Sequence, residues 1–353
     1  MSYYKCRTVN IIKFQKKDLS EMFQYSKYKI PIKGLKNSKK SYNFQEIIFI
    51  KSDESDLLLE ISPLEGFSNE SINEIENIIN TKKSFNISKY PSFEFALENS
   101  KKIKKNNISI KTSILVGNNE DIIKKVSKFF NLGFNSYKIK LSKKDYRKKI
   151  DDLKSINLKT IFRVDFNNEF TIEEAKNIIN NIDLKLEFLE GILQNESFEN
   201  YLLLKDSKHK LCLDINSKNL YYIDQIIKNK IVSYIAIKPK LLGNEKKIKT
   251  LVSNCYINNI KSYISSTFET QIGFNKSIFL AKYLDDIYKE EIVHGFGTYD
   301  FLDKSLLDGI SIDSGFINSI YSEFNIDNLY KYQTKNWKKV VNLEMLEALN
   351  YAK

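Results

Sequence analysis

From about residue 108 onward, short apolar runs alternate with segments whose apolar residues recur at helical spacing. The runs at 109–117, 135–141, 160–167, 186–192, 210–217, 234–241, 262–269 and 291–298 read as strands. Between them, 120–131, 172–182 and 246–258 read as helices, with Thr171 as an N-cap ahead of Glu173 and Glu174. Eight strands alternating with helices predict a parallel α/β fold. Eight is also the number that closes a (β/α) TIM-type barrel.

The earlier part of the chain is patterned differently. Strand-like pieces at 5–14, 45–50 and 56–61 precede a helix opening near Asn69, where Ser71-Ile72-Asn73-Glu74 supplies a capping box. This predicts an α+β capping domain over residues 1–95 and a barrel over 96–317, entered through a helix at 92–105. The remaining segment, 318–353, is expected to pack back on the capping domain.

Composition narrows the chemistry. Cys6, Cys212 and Cys255 are scattered, and His209 and His294 are the only histidines. That disfavours a disulfide framework, a histidine-based zinc site and a Ser-His-Asp triad. Any general base is therefore expected among Lys, Asp and Glu. The net charge is +12, but 56 basic and 44 acidic residues are interspersed, so no nucleic-acid face is expected. A mild positive field suits a small anionic substrate instead. No apolar window approaches a membrane span, and Met1-Ser2-Tyr3-Tyr4-Lys5 lacks the order of a signal peptide, so the chain reads as cytoplasmic. Oligomeric state is left open.

The strand ends carry the candidate chemistry. Lys140, Asp165, Glu190, Asp214 and Lys238 follow one another at intervals of 25, 25, 24 and 24 residues, about one βα unit each. Constant spacing predicts one height at the carboxyl end of successive strands, where barrel active sites lie. The period of two turns Lys138 and Lys140 inward and leaves Ile139 and Leu141 to the helices. It likewise turns Arg163, Asp165 and Asn167 inward, then Cys212 and Asp214, then Ala236 and Lys238. Buried charges are costly unless paired or bound to an ion. Three converging carboxylates offer hard oxygen ligands, which suits Mg²⁺, with Mn²⁺ able to substitute. Lysines flank them on both sides.

Such a site is suited to removing a proton next to a carboxylate, because the metal neutralises the charge that develops. Lys140 would have to be neutral to act as base, and Lys138 and the metal would shift it that way. Enolase-superfamily sites are the general example of a Lys or His base working beside Mg²⁺.

These residues resemble o-succinylbenzoate synthases, in the muconate-lactonizing-like subgroup of the enolase superfamily. The stretches that carry the resemblance include Tyr137-Lys138-Ile139-Lys140, Phe162-Arg163-Val164-Asp165, Phe188-Leu189-Glu190 and Ile237-Lys238-Pro239. Ser62-Pro63-Leu64-Glu65-Gly66-Phe67, Ile264-Ser265-Ser266-Thr267-Phe268-Glu269 and His294-Gly295-Phe296-Gly297 extend it. It implies syn elimination of water from a succinyl-bearing cyclohexadiene carboxylate, in menaquinone or phylloquinone biosynthesis. Under it Lys140 is the base, Lys238 stabilises the enolate from the opposite face, and Lys138 assists. Asp165, Glu190 and Asp214 hold the metal, with Arg163 and Asn167 supporting them from just outside. Ser265, Ser266, Gly295 and Gly297 lie by the acyl chain, and loops at 30–41 and at Gly66-Phe67 close over the substrate.

The sequence also departs from the family. Gly191-Ile192 follow Glu190 and Ile215-Asn216 follow Asp214, where relatives place further acids, so what supports these two ligands is open. The same scaffold serves N-acylamino-acid racemases and dipeptide epimerases, the alternative reading.

Overall fold

A computed structural model of the chain describes residues 22–33, 43–98, 107–320, 322 and 324–352. The strand expected at 5–14 and most of the loop at 30–41 lie outside them.

Three strands of a four-stranded antiparallel sheet come first, β1 (Phe23–Pro31), β2 (Phe44–Ser52) and β3 (Leu58–Ile61). Ile47-Ile48-Phe49-Ile50 is buried throughout because both faces of β2 are covered. Ile48 and Ile50 meet the helices Ile72–Ile79 and Pro91–Leu97, while Ile47 and Phe49 join the core shared with the barrel. The Ser71 capping box opens the first of these helices. The second ends at Leu97, with Glu98 extended, and the rest of the helix expected at 92–105 lies outside the described residues.

Seven parallel strands follow in sequential order: β5 (Ile114–Val116), β6 (Ser136–Lys140), β7 (Ile161–Asp165), β8 (Phe188–Glu190), β9 (Leu211–Asp214), β10 (Tyr234–Ile237) and β11 (Lys261–Ile264). The eighth position is reduced to two residues. His294 bridges to Thr112 and Gly295 bridges to Ser265, which joins β11 back to the start of β5. Backbone hydrogen bonds run on both sides of this segment: His294 N–H to Lys111 O, Ser113 N–H to His294 O, Gly295 N–H to Ile264 O, and Ser266 N–H to Gly295 O. The fold is a TIM-type barrel behind an α+β cap.

The run at 109–117 does not form one strand. Its first half is β4 (Ile108–Lys111), which belongs to a separate antiparallel sheet with β12 (Ile310–Asp313) and β13 (Phe316–Ser319). Only its second half, β5, enters the barrel. The chain then returns to the first sheet, where β14 (Lys338–Lys339) pairs with β1. Met345, Leu346 and Leu349 of the helix Leu343–Ala352 fill the core of the cap.

Cap and barrel also meet through buried polar contacts. Glu60 of β3 accepts from Thr270 Oγ1 at 2.6 Å and from Gly273 N–H at 3.1 Å, at the start of the barrel helix Gln271–Tyr288. A carboxylate there satisfies free amide groups at the positive end of the helix.

Candidate active site

Register fixes where the charged residues meet. Lys140, Asp165 and Glu190 are direct partners on β6, β7 and β8. Glu190, however, pairs with Cys212, so Asp214 lies two residues further along. Asp214 pairs with Ala236, two residues short of Lys238. The sequence spacing predicted one height; the structure has a staircase, because tilted barrel strands stagger their register. Steps of two keep every side chain in phase, so the charged residues still converge inside the barrel.

They converge as ion pairs. Lys138 Nζ is 2.5 Å from Glu190 Oε1 and 3.3 Å from Asp165 Oδ2. Lys140 Nζ lies 3.4 Å from Asp165 Oδ2 and donates to Asn167 Oδ1 at 3.0 Å. Lys238 pairs with Asp214. Burial opposes charge on Lys138, yet Glu190, Asp165 and Asp214 outweigh it and lift its pKa above the ordinary lysine range. Burial pushes Asp165 up, but Lys140 and Lys138 pull it below the usual carboxylate range. For Glu190 burial wins, with Asp214 and Asp165 adding to it against Lys138, and its pKa is raised.

A cavity of about 90 Å³ opens over these groups. Lys138, Lys140, Asp165, Asp214 and Lys238 line it on one side, and Leu64, Phe67, Leu115 and Phe268 supply apolar wall. Phe67 sits on the loop after β3, with Lys238 Nζ 4.5 Å from its ring centre, close enough for a cation–π contact. That loop is tied to the barrel, because Ser217 N–H donates to Phe67 O at 2.9 Å.

Ser265, Ser266, Gly295 and Gly297 all line the same cavity. They also serve the closure of the barrel. Ser266 Oγ donates to Gly295 O at 3.1 Å and lies against Thr298 Oγ1. A Cβ on Gly297 would fall 2.6 Å from Leu115 Cβ and 2.7 Å from its backbone nitrogen. Only glycine allows that approach.

Support for the acids comes from several directions. Asn167 N–H donates to Asp165 Oδ1 at 2.9 Å, and Asn167 adopts φ +51°, turning the chain just past β7. Gly191 has φ +56°, and a Cβ there would lie 3.0 Å from Asp165 Oδ1, so the residue after Glu190 leaves room for its neighbour's carboxylate. Asn219 Nδ2 donates to Asp214 O at 2.7 Å. Arg163 touches none of the three acids. It is paired with Glu187 at 2.6 Å and stacks on Phe188 and Tyr263 deeper in the barrel.

Sequence reasoning missed Tyr263. Its hydroxyl donates to Glu190 Oε2 at 2.8 Å from β11, three strands away. The signal was present, since the same period of two that turns Ser265 inward also turns Tyr263 inward. Burial raises this phenol far above its ordinary value, so it stays a donor. Glu196 was missed as well. Loop folding brings it to Asn216 Nδ2 at 2.9 Å, which periodicity does not encode.

The acids offer oxygen donors from neighbouring strands, a set that fits Mg²⁺. Among the described residues, no group of His, Cys, Asp and Glu side chains is gathered as a metal centre. Ammonium groups occupy the carboxylate oxygens instead.

No protein-family model matches the chain, and no curated protein matches it. Solved structures do. The N-succinyl Arg/Lys racemase of Bacillus cereus ATCC 14579 superposes with a TM-score of 0.73 at 16% identity, covering 90% of this chain and 99% of that one. An enolase-superfamily protein from Listeria innocua Clip11262 gives 0.70 at 15%, covering 91% and 98%. The o-succinylbenzoate synthase of Thermosynechococcus elongatus BP-1, solved with Mg in its active site, gives 0.64 at 14%, covering 80% and 94%. What is shared at such identity is the architecture: the chain has the capped-barrel fold of these enolase-superfamily structures.

Proposed function

We propose that the protein is a Mg²⁺-dependent o-succinylbenzoate synthase, dehydrating 2-succinyl-6-hydroxy-2,4-cyclohexadiene-1-carboxylate. The observation that carries the reading is the placement of Lys140 and Lys238. β6 and the end of β10 are four positions apart in an eight-position barrel, so the two lysines face one cavity from opposite sides of the acids. Asp165, Glu190 and Asp214 would hold the ion once Lys138 and Lys238 release their oxygens. When bound, Mg²⁺ offsets the charge that grows on the substrate carboxylate as the α-proton leaves.

The remaining steps belong to this chain's side chains. Lys140 Nζ takes the α-proton, and the electron pair left behind expels the hydroxyl on the neighbouring carbon. In a syn elimination proton and hydroxyl share a face, so the Lys140 ammonium can return its proton to the departing oxygen as water. Lys238 faces the other side of the ring and stabilises the anion by its charge. Phe67, Leu64 and Phe268 shield the anion from solvent. The motif resemblance from Ser265 to Glu269 favours the synthase within the superfamily.

A second reading, N-acylamino-acid racemase or dipeptide epimerase, is favoured by the same opposed lysines, which could serve as bases on the two faces. Assaying both substrate types with MgCl₂ separates them. Dehydration is expected; racemisation without dehydration would overturn the synthase reading.

A further inference from the structure

Glu190 ends a three-residue strand and is 1% exposed, so little but its partners can fix the carboxylate's orientation. Lys138 takes Oε1 and Tyr263 takes Oε2. The two partners differ in kind. Lys138 is a mobile, strongly charged group that a cation arriving at the acids would compete with. Tyr263 is a rigid neutral donor and can stay in place. Its ring is 1% exposed, stacked on Phe188 at 5.7 Å with 25° between planes, and backed by the Arg163 guanidinium 4.9 Å from its centre. The residue after Glu190 is a glycine and offers no side chain to do this work.

We propose that Tyr263 is a positioning residue that reaches across the barrel interior and holds the Glu190 carboxylate ready for a divalent cation. The inference rests on reading Asp165, Glu190 and Asp214 as a Mg²⁺ site. A group that orients a metal ligand without touching the metal typically changes affinity by about 10–100-fold when removed. Tyr263→Phe keeps the ring and its packing and deletes only the donor.

The test is calorimetric titration of the whole protein with MgCl₂, alongside thermal melts of the metal-free forms. Tyr263→Phe is expected to bind Mg²⁺ about 10-fold or more weakly than the natural chain. Tyr288→Phe is the control: it loses a half-buried hydroxyl bonded to Ser262 and to Ile260 O and to none of the acids, and its Mg²⁺ affinity should not change. Should Tyr263→Phe fail to fold, 4-fluorophenylalanine at position 263 fills the hydroxyl's space without donating. If the natural chain binds Mg²⁺ and the variant binds it equally well, the positioning role is wrong while the metal site stands. If the natural chain itself binds no Mg²⁺, the metal site falls, and the role of Tyr263 with it.

Discussion

Lys138 Nζ and Glu190 Oε1 lie 2.5 Å apart, although 52 residues separate them in sequence. The lysine bridges onward to Asp165, so one ammonium ties together the carboxylates of two neighbouring strands. The interaction both stabilises the barrel mouth and blocks it to a metal. Removing one member of a buried pair typically costs about 3–5 kcal/mol, because the other charge is left alone. Lys138→Met should therefore lower the unfolding free energy of the metal-free protein by about 3 kcal/mol. MgCl₂ should restore part of it. Urea melts with and without the ion check this, and an unchanged midpoint in both would refute the pairing as a stabilising element.

Lys140→Ala should reduce kcat by roughly 10²–10⁴-fold, the usual worth of a positioned general base. Lys140 is as enclosed as Lys138 and pairs with the same Asp165, so the variant should also melt lower, and kcat is compared well below that melt. Circular dichroism and steady-state rates measured on the same preparation distinguish a lost base from a lost fold. Full activity in the variant would remove Lys140 from its role.

The barrel's closure is the next point of weakness. Gly297→Ala forces a methyl group against Leu115 backbone, and overpacking of this kind typically costs about 1–3 kcal/mol. At Gly295 the nearest atoms to an added Cβ are 3.3 Å away, so Gly295→Ala should fold and instead narrow the cavity. Denaturant midpoints should rank the two clearly, with Gly297→Ala the less stable.

His294 gives the closure a pH dependence. Ile264 N–H donates to His294 Nδ1 at 3.0 Å, and Nε2 faces Asp285 Oδ1 at 3.3 Å, an arrangement that needs the neutral ring. Burial, the largest influence, holds its pKa below 6.5 although Asp285 opposes this. The unfolded chain therefore binds the proton more readily. The stabilising contribution is complete above the unfolded value near 6.5 and is lost as pH falls toward the folded value. Stability measured from pH 7.5 downward should decline from about 6.5, and His294→Gln should lack that decline.

Much of this was legible in the sequence, for identifiable reasons. Period-two alternation put Lys138, Lys140, Asp165 and Asp214 on inward faces, and all four line one cavity. Capping signals at Ser71 and Thr171 marked helix starts because their side chains bond the local backbone. The common height was misread, since tilt and stagger are properties of the closed barrel and leave no trace in spacing. The run at 109–117 was misread because both of its halves are extended and adjoin without a turn signal, yet they pair with different sheets. Tyr263 was readable from phase, but its partner Glu190 was not: a contact across the barrel interior depends on closure.

The most direct test of the central claim follows the cyclohexadiene substrate by ultraviolet absorbance as the protein and MgCl₂ are added. Rapid appearance of the aromatic o-succinylbenzoate is expected, abolished by chelating the metal and absent in Lys140→Ala. A substrate that stays intact, while an N-acylamino acid exchanges its α-hydrogen with deuterated solvent under the same conditions, would contradict it.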